Sequence, residues 1–322
     1  MEPHKNLHQN HFLYPAQQQV TGGEIDLRDM LTVLWQEKWT IVVTTLVFAI
    51  SSVLYATSLP NIYKADALLA PTESSENGGL AKMAGQFSGL AAIAGVNLSN
   101  SESSQTDLAV QVLKSRQFVG AFIQRHDLKM PLMAAKGWDL DSNKLILDEN
   151  IYNETTGQWL RKAKGLRTAE PTEQEMFDVF RKDILSISQD KENGFYTLSV
   201  RFYDPFLAKQ WVSWLIDDIN KVMRDRAITE TSQNLMYLNA QLQKTAVADM
   251  QSAFYTLIEE QTKNLMLAEV QEEFIFKVID PAVVPEVKDG PKRLVLCILG
   301  SMLGGMLGVV FAFVRYVFRK KK

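Results

Sequence analysis

Two apolar segments, one near each end, constrain this chain more than anything else in it. Thr40 to Leu59 and Leu294 to Val314 contain no charged residue and are each about 20 residues long. At 1.5 Å rise per residue such a segment, as a helix, spans the roughly 30 Å hydrocarbon core of a bilayer. Backbone polar groups in lipid must be satisfied within the segment, which dictates helices. Between them lie about 230 residues of ordinary soluble composition. The expected organisation is a polar cytoplasmic tail over residues 1–23, an amphipathic juxtamembrane helix over 24–39 and a first transmembrane helix over 40–59. An outer domain over 60–293, a second transmembrane helix over 294–314 and a basic tail over 315–322 complete it.

Charge sets the expected orientation. The tail holds Arg315, Arg319, Lys320, Lys321 and Lys322 and no acid. Basic residues beside a span favour the cytoplasmic side, although Lys288, Lys292 and Arg293 at the other end oppose the bias. With two spans, both termini then face the cytoplasm and the central domain faces outward. The alternative for the first span, a cleaved signal peptide, fits less well. About 39 residues precede it, and no A-x-A site follows. The single cysteine, Cys297, lies in the second span, so no disulfide framework is available to the outer domain.

Within the outer domain, residues 62–70 read as a strand ending at Pro71, and residues 72–105 as a Gly/Ala/Ser-rich loop. Helices are expected over 106–126 and 173–182. A hairpin is expected between residues 184–188 and 195–202, around an Asn193-Gly194 turn. Residues 130–172 show no clear pattern. From Phe206 to Asp280 there is neither Gly nor Pro, which predicts one very long helix over about 206–272, followed by a strand at 274–279. Its apolar seam, begun by Leu235, Leu238 and Leu242 and continued through Leu257, calls for cover by neighbouring chains. Pro281, Pro285 and Pro291 predict a stiff, extended membrane-proximal connector. In the second span Gly300, Gly304, Gly308 and Ala312 recur every four residues, forming a groove for close helix packing. The fold class is therefore α+β, with a small mixed sheet and a very long helix anchored by two transmembrane helices.

Little chemistry is offered. His126 is the only histidine beyond the first span. No nucleotide-binding motif occurs, zinc would need more ligands than the domain owns, and no cofactor or metal is called for. The paired acids Asp217-Asp218 are read as lying on a polar helix surface. Trp138, Trp159, Trp211 and Trp214 are read as core aromatics before sugar-stacking platforms. The acidic balance argues against nucleic acid. Neither catalytic, cofactor-binding nor metal residues are expected.

The segments EIDLRDMLTVLWQEKW, NIYKADALLAP, LAVQVLKSRQF, DPFLAKQWVSWLIDDIN and IDPAVVPEVKDGPKR together resemble the Wzz-type polysaccharide co-polymerases of the kinase-free class, over residues 24–320. The resemblance implies a non-enzymatic inner-membrane regulator of surface-polysaccharide chain length. It would act as a homo-oligomeric ring with a Wzy-type polymerase on a lipid-linked polysaccharide such as O-antigen. It also implies that the loop from Gly78 to Gly95 faces the ring cavity, with Leu90 and Ile93 as contacts. A structural adaptor for export, bridging the inner membrane to an outer-membrane pore, is the competing expectation.

Overall fold

A computed structural model describes residues 34–72, 101–245 and 248–320. The chain divides into two units, one of residues 57–292 and one of residues up to 56 with those from 293 onward. The Gly78–Gly95 loop with Leu90 and Ile93 lies outside the described residues, as does most of the expected juxtamembrane helix, of which residues 34–36 are helical.

The membrane unit is a pair of helices, α1 (Lys38–Ser58) and, at the far end of the chain, α8 (Arg293–Lys320). Both are long and apolar enough to cross a membrane. Their outward faces (Val42, Leu46 and Ile50 on one, Leu299, Met302 and Met306 on the other) are open, as lipid-facing side chains should be.

The other unit opens with β1 (Tyr63–Pro71). After it come α2 (Ser101–Leu113), α3 (Arg116–Arg125) and α4 (Lys129–Ala134). The helix expected over 106–126 is thus two. Ser115 ends the first and caps the second, its hydroxyl accepting from the Phe118 N–H at 3.2 Å. The stretch without a clear pattern forms two small ribbons: β2 (Ala135–Asp139) with β3 (Lys144–Leu147), and β4 (Tyr152–Asn153) with β5 (Gln158–Trp159). Helix α5 (Glu173–Val179) runs through a π turn into β6 (Leu185–Gln189), which pairs with β7 (Tyr196–Phe202). Gly194 takes φ +75° in their connection, a conformation that favours glycine.

Helix α6 (Pro205–Lys244) then starts on a strong signal. The Asp204 carboxylate accepts from the N–H groups of Phe206 and Leu207, and Pro205 occupies the first helical position. The single helix expected to about residue 272 is corrected here. The chain turns after Thr245 and returns as α7 (Ala248–Val270). The Gln251 amide donates to the Thr245 carbonyl at 2.7 Å beside the turn, and Arg224 reaches the Gln271 carbonyl at the other end. The two helices are therefore antiparallel neighbours. The physical reason lies in the seam itself: a lone helix would leave it in water, whereas doubling back covers it with the same chain.

Strand β8 (Phe276–Asp280) closes the sheet in the order β6-β7-β1-β8. Every pairing described is antiparallel, so the expected mixture of parallel and antiparallel pairs is not found among the described strands. β7 and β8 do run in one direction, but β1 lies between them. One sheet face carries Ala65, Ala67, Leu69, Leu198, Val200, Phe202 and Phe276. It meets Trp211, Val212, Leu215, Ile216 and Ile219 from the first half of α6. Phe118, Phe122 and Phe180 complete this core, with ring contacts running Phe122–Phe180–Trp211–Phe202.

Charge pins the periphery of this core. Thr172 and Glu175 form a reciprocal cap at the start of α5, and Arg161 donates to the Glu175 carboxylate at 2.9 Å, with Arg167 at 3.3 Å. The hydrogen bond from Arg161, opposed by partial desolvation and helped by the Thr172 N–H, holds the Glu175 carboxyl below its ordinary value. A carboxyl depressed in the folded state contributes stability above its unfolded pKa of about 4.3, and that contribution drains away as pH falls through the folded value. Arg161→Met should therefore lower the melting midpoint of the full chain at pH 7, and the gap from wild type should narrow below about pH 4 to what the lost bonds to the Ala169 and Thr168 carbonyls leave. A gap that stays constant across that range would remove Glu175 as its cause.

Candidate functional site

The glycine series of the second span lies against the first. A Cβ built on Gly300 would collide with Ser52, and one on Gly308 would collide with the Thr44 hydroxyl and stand 3.1 Å from the Ile41 Cα. At Gly304 it would fall 2.5 Å from the Phe48 Cβ and 3.2 Å from the Thr45 Cα. Ala312, one turn further on, is fully buried. Gly300 meets Ser52 while Gly308 meets Ile41, so the helices run antiparallel. Lipid offers no hydrophobic drive for helix pairing, so such backbone approach supplies the attraction through dispersion. The hydroxyls in the contact are satisfied within their own helices: Thr44 donates to Thr40 and Ile41 carbonyls, Thr45 to Ile41, and Ser52 to Ala49. No polar group along this seam is left facing hydrocarbon by these residues. The complementary face on α1, with Ile41, Thr45, Phe48 and Ser52 at helical spacing, was not recognised from sequence; its hydroxyl residues at that spacing were the available signal.

The helical hairpin presents a different surface. Leu235, Leu238, Leu242 and Leu257, expected to meet neighbouring chains, are half-buried. From residue 227 onward the half-buried positions of α6 fall at 227, 228, 231, 232, 235, 238, 241 and 242, the stripe facing α7. Open instead are Met236 and Tyr237 on α6, and Met250, Tyr255 and Met266 on α7.

The connector is held at one point by backbone pairing. Pro281, Pro285 and Pro291 lie in a segment without helix or strand. Within it Gly290 bridges Ile62: the Ile62 N–H donates to the Gly290 carbonyl at 2.9 Å, and the Asp289 N–H returns to the Ile62 carbonyl at 2.8 Å. Asp289 also pairs with Arg201 of β7 at 3.0 Å.

Two joints escaped sequence reasoning. Asp218 is buried, not on a polar surface: Arg125 donates to one oxygen and His126 Nε2 lies 3.2 Å from the other. His126 also stacks on Trp214 at 4.2 Å. Asp217, its sequence neighbour, points outward. The reason is tertiary, since the end of α3 and its cap residue His126 supply both partners from some 90 residues away. The second joint is Asn220, buried in α6. Its amide donates to the Phe276 carbonyl and accepts from the Ile275 and Phe276 N–H groups, all at 2.9 Å. The four tryptophans named above all have aromatic neighbours: Trp138 between Tyr63 and Phe206, Trp159 on Tyr152, Trp211 in the core. Among the described residues, no three His, Cys, Asp or Glu side chains gather to hold a metal ion.

These features define a class: a chain with two helices long and apolar enough to cross a membrane and, between them in sequence, an antiparallel α+β domain with a helical hairpin. Family comparison makes the class specific. The chain length determinant protein model, Wzz, matches residues 23–126, and GNVR, a G-rich domain described on tyrosine kinases, matches residues 231–317. Over residues 23–126 the chain is thus similar to the chain length determinant proteins. No curated protein matches it by sequence. Among solved structures it is similar to a full-length bacterial polysaccharide co-polymerase at 16% identity, covering 92% of this chain and 99% of that one, with TM-score 0.38. It is also similar to a fragment of WzzB, a polysaccharide co-polymerase from Salmonella Typhimurium, at 9% identity, covering 71% and 99%, with TM-score 0.30.

Proposed function

We propose that this chain is a non-enzymatic regulator of the modal chain length of a surface polysaccharide, O-antigen or a related lipid-linked glycan. It acts as a homo-oligomeric ring beside a Wzy-type polymerase in the bacterial inner membrane. Both termini lie in the cytoplasm and residues 60–293 in the periplasm. The observation that carries this reading is the pair of family matches, Wzz over the first span and β1 and GNVR over the hairpin and second span, bracketing one two-span chain. The chemistry of the domain agrees with it. Its buried acids are all engaged structurally: Asp218 and Glu175 in ion pairs, and Asp204 in the cap of α6. The open Met and Tyr side chains of the hairpin are the surface a neighbouring copy would cover, in place of the leucine seam.

Deletion of the chain tests the function. Loss of the modal band on a glycan gel, with polymer still displayed at the surface, is the expected result. Polymer trapped inside the cell would instead assign an export adaptor bridging to an outer-membrane pore.

A further inference from the structure

Where α1 begins and α8 ends, charged side chains gather on one carboxylate. Glu37 is only 8% exposed. Its Oε2 accepts from the Thr40 hydroxyl at 2.8 Å, while Oε1 lies 3.7 Å from Arg315 Nε and 3.9 Å from Arg319 Nη1. Both arginine separations are ion pairs too long for hydrogen bonds. The carboxylate therefore places two guanidiniums by charge and, among the described residues, leaves most of their N–H groups uncommitted; Arg315 gives one to the Thr40 hydroxyl at 3.3 Å. The arginine side chains are 62% and 80% exposed.

The surroundings specify the ligand. Two cations against one anion leave an excess positive charge, and Lys38, held over the Trp35 ring at 5.1 Å, adds another. Trp35 and Trp39 at this same end are open, and indole rings favour the headgroup level of a bilayer. Just along the helices, Val42, Val43, Val310 and Phe311 expose apolar surface. A ligand with phosphate oxygens at one end and hydrocarbon at the other matches all three. Guanidinium forks are well suited to phosphate, and basic clusters at span ends attract anionic lipids.

We propose that Arg315 and Arg319 form a binding site for the phosphate headgroup of an anionic phospholipid. Glu37 presents the two guanidiniums and competes with the lipid for them. Acyl chains would lie along the exposed valine and phenylalanine faces. The buried carboxylate keeps the fork assembled when no lipid is there, and its competition keeps the bound lipid exchangeable.

The full-length chain in zwitterionic micelles doped with phosphatidylglycerol, read by native mass spectrometry, tests this. Phosphatidylglycerol should be retained over phosphatidylcholine. The double variant Arg315→Gln, Arg319→Gln should weaken retention by about fivefold per arginine, roughly 25-fold together. Arg315→Lys with Arg319→Lys keeps the charge and should recover part of the loss, which separates lost binding from lost folding. Glu37→Gln should strengthen retention, because it removes the competitor; a purely structural clamp would weaken instead. Unchanged retention in the double glutamine variant overturns the proposal, as does weaker retention in Glu37→Gln. Displacement of the lipid by millimolar inorganic phosphate overturns it too, since it would assign the site to a soluble anion.

Discussion

Gly304→Leu should yield a protein that inserts into the membrane but no longer keeps its spans together, and, on the function proposed above, surface glycan should lose its modal length. Even the first added carbon would stand 2.5 Å from the Phe48 Cβ and 3.2 Å from the Thr45 Cα. The Thr45 contact is backbone, so α1 must move away as a body. Overpacking of this kind costs about 1–3 kcal/mol, and in lipid no hydrophobic gain offsets it. The neighbouring glycine provides the control. A Cβ at Gly305 would meet only the Thr45 hydroxyl, at an ordinary 3.7 Å, so Gly305→Leu should be tolerated. Glycan banding on a gel and the melting midpoint of the detergent-extracted chain read both variants. Unchanged banding with Gly304→Leu would show that this groove does not serve length control.

Asn220→Ala should be the most damaging single change in the outer domain. One amide there answers three backbone groups, the carbonyl of Phe276 and the N–H groups of Ile275 and Phe276, within the core. Alanine leaves all three buried without partners. At about 1–3 kcal/mol for each unmet group, even partial rescue by water leaves a loss of several kcal/mol, against a total stability of about 5–15 kcal/mol for a domain. The strand β8 and the return from α7 should come loose first, because nothing else on α6 holds the chain at Ile275 as directly. Denaturant unfolding of the full chain, with limited proteolysis around residues 271–276, would measure this. A loss under about 1 kcal/mol would mean that the joint is dispensable.

The parts of this fold legible in sequence were those written in local chemistry. The spans follow from two runs without charge, the β6–β7 hairpin from Asn193-Gly194, and the start of α6 from Asp204-Pro205. The reversal between α6 and α7 was not legible, because no Gly or Pro marks it. It arises from the long-range benefit of covering Leu235, Leu238 and Leu242 with the chain's own return helix. Asp218 and Asn220 were missed for a related reason. Each looks like an ordinary polar helix residue until α3 and β8 arrive from distant sequence to engage it. The glycine series of α8 was visible as a pattern, but its partner face, made of Ile41, Thr45, Phe48 and Ser52, is defined only once the register of the two helices is known.

The bridge between Ile62 and Gly290 has a consequence for how such proteins can diversify. Entry and exit of the 57–292 unit are stitched side by side, so everything between them closes into a cassette with a single seam. Insertions, swaps or remodelling of that cassette need preserve only this stitch for the flanking hydrophobic anchors to stay compatible. The domain can thereby be reshaped without rebuilding its mooring.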